Sequence, residues 1–268
     1  MPFSKDPASY LNNCPNRAVY AFHLFGEGIE IGALAWPLSL PDGVLCRNVD
    51  VYSTEELRQT YPEFKDLIVP VEVMDDGQNL TKFSTCSLDF IIANHVLEHV
   101  VNVIRTIKRW YDVLKDDGIL FLSVPDRRFT ADQIRERTPL SHLLYEFENH
   151  VSEISEDHCI DNLIAWNGIP REKISAEMIA HCRKIGVHNH CWECEDILQL
   201  FQVLFSKKVM RYELLDLSLP KGLFNEFILV LRKSPEAANF WTEFARKKYV
   251  EQEEKEGRIL WLMKNQKT

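Results

Sequence analysis

The sequence predicts an α/β protein built on a mostly parallel sheet. Three observations carry this expectation. Short runs dense in Ile, Val, Leu and Phe alternate with amphipathic stretches through the first half of the chain, as in successive βαβ units. Those runs are apolar almost throughout, as strands covered on both faces are. The chain has 268 residues, 46% hydrophobic and 26% charged, an ordinary globular balance that fills a core without disulfide staples.

The elements read in order as follows. Gly28–Gly32 is a short apolar run ending in Gly. Val44–Val51 is a second strand, and Leu67–Val73 a third, placed at an edge because Pro70 cannot donate to a neighbour. Leu88–Ala93 and Ile119–Val124 are the fourth and fifth. Between them Val100, Ile104, Ile107, Tyr111 and Leu114 recur at helical spacing, with Gly118 as the stop. Residues 126–190 break the pattern: polar, aromatic and rich in His and Arg, they are too long for a simple connection and read as a substrate-side insertion or cap. A helix over Glu195–Phe205 follows, then strands near Val209–Leu215 and Phe227–Leu231 that suit an antiparallel pair. Ser234-Pro235-Glu236 has the order of a helix start, which predicts a C-terminal helix over 234–268. Its aromatic side chains suit docking on the domain, with a homodimer as the second reading. The whole chain, 1–268, reads as one domain.

Charge and cysteine usage narrow the function classes. With 31 Lys+Arg against 40 Asp+Glu, the net charge of −9 argues against bulk binding of nucleic acid. No segment approaches the length of a membrane span, and the first residues lack the charged and apolar regions of a secretory signal. Seven irregularly spaced cysteines then read as reduced thiols. A cytoplasmic location is the expectation.

A parallel sheet binds its ligand at the carboxyl ends of its strands. The residues expected there are Glu30, Gly32 and Ala33 after the first strand and Asp50 after the second. Asp75, Asp76 and Gly77 follow the third, and Asn94 and His95 the fourth. An acid after the second strand can accept from both hydroxyls of a ribose, and an acid after the third can accept from an adenine amino group. In this order, EIG, then Asp50, then DDGQNL, then SLDFIIANHVLEHV, then LKDDGILFLSVP, the chain resembles the class I S-adenosylmethionine-dependent methyltransferases. The resemblance covers residues 28–125 and implies a Rossmann-like, seven-stranded, mostly parallel sheet with helices on both faces and an antiparallel last strand. It implies S-adenosylmethionine as cofactor, with Glu30, Gly32 and Ala33 along its methionine part and Asp50 on the ribose. Asp75, Asp76 and Gly77 would meet the adenine, and Asn94 and His95 would lie beneath the sulfonium. The chain departs from the family at one point: the glycine-rich loop reads Glu30-Ile31-Gly32-Ala33-Leu34-Ala35-Trp36, with only its first glycine.

Four further features carry candidate chemistry. His95-x-x-Glu98-His99 places three ligand-type groups on one face of a helical turn. Such a set suits a divalent metal, whereas in most members of the family the Glu-His pair is structural. His188 and His190 precede the helix that leads to the last strands, and each is a candidate general base or a distant metal ligand. Cys191-x-x-Cys194 has a zinc-like spacing, but it lacks a second such pair and reads as core. Arg127 and Arg128, in a run of four arginines, either grip an anionic substrate or pair with Asp126, Asp132 and Glu136.

The expected activity is methyl transfer to a hydroxyl or amine of a small molecule or a glycan or nucleotide-sugar precursor, with His95, His188 or His190 as base. A non-catalytic binding module with an altered glycine loop is the alternative from another class. A metal-dependent enzyme using His95, Glu98 and His99 is a third.

Overall fold

The computed structural model of the chain describes residues 15–220 and 225–255. The apolar runs become β1 (Glu27–Ile31), β2 (Leu45–Asp50), β3 (Val73–Met74), β4 (Leu88–Asn94), β5 (Leu114–Pro125), β6 (Tyr212–Ser218) and β7 (Glu226–Lys233). They form one seven-stranded sheet in the order β3-β2-β1-β4-β5-β7-β6. Pairs from β3 through β5 are parallel, and β7 runs antiparallel to both β5 and β6. Six strands therefore share one direction and the last in the chain opposes them. This is a Rossmann-like sheet.

Its central strands are apolar on both faces because both faces are covered. Ile91 and Ala93 of β4, Leu120 and Leu122 of β5 and Leu229 and Leu231 of β7 join one cluster. That cluster includes Ile104, Ile107 and Trp110 of α3 (Val103–Val113) and Ile197, Phe201 and Leu204 of α7 (Cys194–Ser206). Phe90, Ile92, Ile119, Phe121, Ile228 and Val230 point the other way, onto Tyr20 of α1 (Pro15–Tyr20) and Ala21 and Leu24 beyond it. A third, smaller cluster holds α2 (Thr54–Thr60) through Leu57; a reciprocal capping box between Ser53 and Glu56 starts this helix.

Residues 126–190 contain α4 (Leu140–Glu148), α5 (Glu156–Asn167) and α6 (Ala176–Ile185). Ser155 and Ser175 cap the second and third of these, and Gly168 ends α5 in the left-handed conformation. Cys159, Leu163, Cys182 and Val187 give this segment its own small apolar cluster.

Three boundaries differ from expectation. The edge strand β3 is only Val73–Met74, since Pro70 cannot donate and Asn48 Nδ2 instead bonds its carbonyl at 3.1 Å. The helix before β5 ends at Val113, not at Gly118, because Leu114 already pairs with Leu88 of β4. The C-terminal helix α8 spans Glu243–Lys255 and does not begin at Ser234. There the chain instead lies along β6: Leu214 N–H donates to Phe240 O at 2.7 Å, and Thr242 Oγ1 accepts from Ala245 N–H at 3.1 Å. The remainder of the expected helix, 256–268, lies outside the described residues, as does Cys14. The six described cysteines are free. No described helix is long and apolar enough to cross a membrane.

Candidate functional site

The carboxyl ends of β1, β2 and β4, with the loop after β3, enclose a cleft of about 300 Å³. Gly32, Asp50, Asp76, Gly77, His95 and His99 are among its walls. Five of the residues expected at the cofactor rim thus meet in one place. Asp50 closes β2 with its Oδ1 accepting from Tyr52 N–H at 3.0 Å, and burial raises its pKa. Asp76 turns the next loop by accepting from Gln78 N–H at 2.9 Å and from the Asn79 amide.

The other expected cofactor residues hold the walls instead of forming them. Glu30 is buried beneath the cleft, accepting from Leu38 N–H and from Asn94 Nδ2, both at 2.9 Å, and burial raises its pKa. Asp75 accepts from Thr81 Oγ1 and Lys82 N–H, both at 2.8 Å, so it braces the loop that presents Asp76. Ala33 is buried. Asn94 leaves its Oδ1 buried without a hydrogen-bond partner.

Two loop positions explain how the cleft stays open. Gly32 has φ +65°, and a Cβ there would meet only Val96 Cγ2, at 3.8 Å. Two residues on, where the family has a second glycine, Leu34 adopts the same left-handed region at φ 50°. The turn is therefore kept without its glycine, at a cost of roughly 1–2 kcal/mol for an L side chain in that region. Gly77 is required for a different reason: a Cβ would lie 2.4 Å from Ile31 Cγ2. The loop cannot retreat, because Trp110 Nε1 donates to Gly77 O at 2.7 Å. We expect Gly77→Ala to destabilise the fold by about 1–3 kcal/mol through overpacking, read as a lowered urea midpoint at unchanged slope. An unchanged midpoint would mean that Ile31 yields freely.

His95 follows β4 with φ 54°, a left-handed backbone that turns its imidazole over the cleft. Its Nε2 lies 2.7 Å from Glu226 Oε2 at the start of β7. Glu226 is buried and also accepts from Ser123 Oγ at 2.6 Å and from Arg17 Nη2 at 2.5 Å. Against its burial, the bonds from His95 and Arg17 hold its pKa far below the usual carboxylate range. An ionised Glu226 accepts from Nε2, and the other ring nitrogen, Nδ1, lies 3.9 Å from Glu98 Oε1.

The expected trio His95, Glu98 and His99 meets at one oxygen, with His95 Nδ1 and His99 Nε2 each 3.9 Å from Glu98 Oε1. It does so without an α-turn: Leu97–His99 is a single 3₁₀ turn, and the left-handed His95 precedes it. The group whose ligand atoms are all mutually close is Glu98, His99 and His188, with one atom from each within 4.8 Å of the others. His188 reaches it from the connection before α7, its Nε2 4.0 Å from Glu98 Oε1. Glu98 is fully buried, neither of its oxygens has a hydrogen-bond partner, and burial pushes its pKa up to about 7. On its far side His188 Nδ1 lies 2.7 Å from Asp132 Oδ2. Asp132 also accepts from Arg135 Nη1 at 2.7 Å and Trp166 Nε1 at 3.0 Å. Although burial opposes it, His188 and Arg135 bring the Asp132 pKa down to about 2.

The remaining candidates lie elsewhere. His190 is fully buried, stacks on Trp192 and is not among the walls of the cleft. Arg128 is paired with the buried Asp126 through two bonds of 2.8 and 2.6 Å, and Arg127 donates to the carbonyls of Gln133 and Arg135. Neither lines the cleft, so the ion-paired reading of that run describes it. Cys191 Sγ donates to Glu136 O at 3.2 Å, and burial pushes its pKa up to about 11; Cys194 is fully buried in the core.

Sequence reasoning did not single out Glu226, Arg17 or Trp166. One signal was available for Glu226, an acid opening an otherwise apolar strand. Nothing local marks its partners, which lie 131 and 209 residues away.

The sheet order, the single antiparallel strand and a cleft at the carboxyl ends of β1, β2 and β4 define a methyltransferase fold. The family model described as a methyltransferase domain matches residues 17–162, more than half of the chain, and the chain belongs to that family. Fold and family together place it in the class of S-adenosylmethionine-dependent methyltransferases. Among solved structures it is similar to a SAM-dependent methyltransferase of Thermotoga maritima, at 15% identity over 84% of this chain and 89% of that one, with a TM-score of 0.45. A protein from Pyrococcus horikoshii is 13% identical over 85% of this chain and 91% of that one, with a TM-score of 0.48. The CurJ carbon methyltransferase is 14% identical over 78% of this chain, with a TM-score of 0.41, and the match spans 48% of its length. No curated protein matches the sequence.

Proposed function

We propose that this chain transfers a methyl group from S-adenosylmethionine to a hydroxyl of a small molecule, with His95 as general base. The observation that carries this reading is the Glu226–His95 pair, which holds an imidazole at the wall of the cleft where the cofactor belongs. The cleft suits the cofactor in two respects. Gly32 leaves open space beside β1, and Asp50 offers a carboxylate at the end of β2. The left-handed Leu34 supports cofactor binding over a non-catalytic module, because the turn survives the loss of its glycine.

In this reading Asp50 holds the ribose, Asp76 and Gly77 border the adenine, and Gly32 lies along the methionine part. Glu30 and Asp75 position that shell from behind. The cofactor supplies a methyl already activated by its sulfonium, so the protein mainly aligns the acceptor and removes one proton. His95 Nδ1 takes that proton from the acceptor oxygen while Glu226 fixes the ring. Asp132 orients His188 in the same manner at the substrate side. The segment 126–190 closes over the acceptor, within a single domain that runs through the chain.

A second reading concerns Glu98. Its two unpartnered oxygens, beside His99 and His188, favour a divalent cation there that would bind and acidify an acceptor hydroxyl.

The ribose assignment is tested by calorimetric titration with S-adenosylhomocysteine. Losing charge-assisted hydrogen bonds worth about 1.5–3 kcal/mol, Asp50→Ala should bind roughly ten- to a hundredfold more weakly. Unchanged affinity would remove Asp50 from the cofactor site.

A further inference from the structure

We propose that His142, Glu146, His158 and His190 form a structural metal site, suited to Zn²⁺, that pins two helices of the segment 126–190 to the end of that segment. It is separate from the cleft and does not depend on the proposed reaction. His142 and Glu146 are four apart on α4 and so share a face, His158 projects from α5, and His190 comes from the connection into α7. One ligand atom from each lies within 4.8 Å of the others.

The cluster is poorly explained as a hydrogen-bonded core. His142 Nε2 lies 3.1 Å from Glu146 Oε1, which accounts for one pair. Among the described residues Glu146 Oε2 and His190 Nδ1 are buried without hydrogen-bond partners, and the His190 ring makes one long hydrogen bond, Nε2 to Val101 O at 3.4 Å. The side chains of Glu146 and His190 are 4% and 0% exposed. Leaving Glu146 Oε2 unpaired costs about 1–3 kcal/mol, a penalty that a cation between it and His190 Nε2 would remove. The three rings are mutual neighbours, with centroids 5.1 to 5.8 Å apart.

The donor set has the character of a zinc site. Three imidazoles and one carboxylate make four protein ligands, the number of a closed structural site. With bonds near 2.1 Å, tetrahedral ligand atoms sit about 3.4 Å apart; the Glu146 Oε2 to His190 Nε2 separation is already 3.5 Å.

A cation here has a mechanical consequence for the cleft. His190 N–H and Asn189 N–H both donate to Glu98 O, at 3.2 and 2.8 Å, and His188 is two residues from His190. On the other side, Asn102 Nδ2 donates to Glu146 O at 2.7 Å while its Oδ1 caps α3. The site therefore ties two helices of the segment to the turn that carries Glu98 and His99.

The test is elemental analysis of full-length, tag-free protein loaded with zinc and desalted, alongside His158→Asn, Glu146→Gln and His99→Gln. We expect one equivalent of zinc in the wild type and in His99→Gln, and less than a tenth of that in His158→Asn and Glu146→Gln. Wild-type protein that retains no zinc while folded overturns the proposal. So does zinc that is kept by His158→Asn and lost by His99→Gln, which would place it at Glu98, His99 and His188. Should the first two variants fail to fold, cobalt titration of the wild type decides: intense visible bands of four-coordinate Co²⁺ support the site, and weak six-coordinate bands refute it. Binding of S-adenosylhomocysteine, measured separately, reports on the cleft and is not expected to require the metal.

Discussion

His95→Gln should lower kcat for methyl transfer by roughly a hundred- to ten-thousandfold, the range for loss of a positioned general base. The affinity for S-adenosylhomocysteine should stay within a few fold. Glutamine keeps an N–H for Glu226 and removes only the basic nitrogen, so the loss reports proton removal, with packing preserved. The measurement is S-adenosylhomocysteine release across a panel of hydroxyl- and amine-bearing acceptors, paired with calorimetry of cofactor binding. A variant that turns over at the wild-type rate would strip His95 of the role. A variant that also loses the cofactor would make it a binding residue.

The second large effect concerns stability. Glu226→Gln should destabilise the protein by about 3–5 kcal/mol at pH 7, the cost of breaking a buried ion pair from one side. It removes a charged partner from the Arg17 guanidinium, which is 9% exposed. The sign of the pH dependence follows from the depressed pKa of Glu226. The carboxylate contributes its full stabilisation above the unfolded glutamate value of about 4.3. That contribution declines as the pH falls from there toward the folded value. Urea unfolding of the two proteins should therefore differ most at pH 7 and converge below about pH 4. A difference that stays constant over this interval would show that shape, and not charge, is what the glutamine disturbs. Where the variant folds, kcat should fall with little change in KM, because Glu226 acts through the imidazole and touches no substrate.

Much of the architecture was legible along the chain. β1, β4 and the second half of β5 read directly as apolar runs, because a strand covered on both faces needs no polar residue, whereas β2, with only Val49 buried, departs from that pattern. Pro70 placed the edge, and β3 is indeed the end strand. The cleft was legible to the same depth: Gly32, Asp50, Asp76, Gly77 and His95 sit within a few residues of strand ends, where local pattern and fold class coincide. Errors arose where a local signal met a stronger distant partner. Ser234-Pro235-Glu236 has the order of a helix start, yet the following chain pairs with Leu214 of β6 instead.

Spacing alone left the histidine set incomplete. His95 and His99 do each reach Glu98 Oε1 at 3.9 Å, though through a left-handed residue and a 3₁₀ turn and not an α-helical interval. His188 joins Glu98 from 90 residues further on. His190 looks equivalent to His188 in the chain but is buried among His142, His158 and Glu146. Periodicity and residue type establish which strands form and what their ends present, because both depend on contacts within a few residues. Which imidazole meets which carboxylate depends on how the segment 126–190 and β7 pack against the rim, and a hydrogen bond across 131 residues leaves no mark in local pattern.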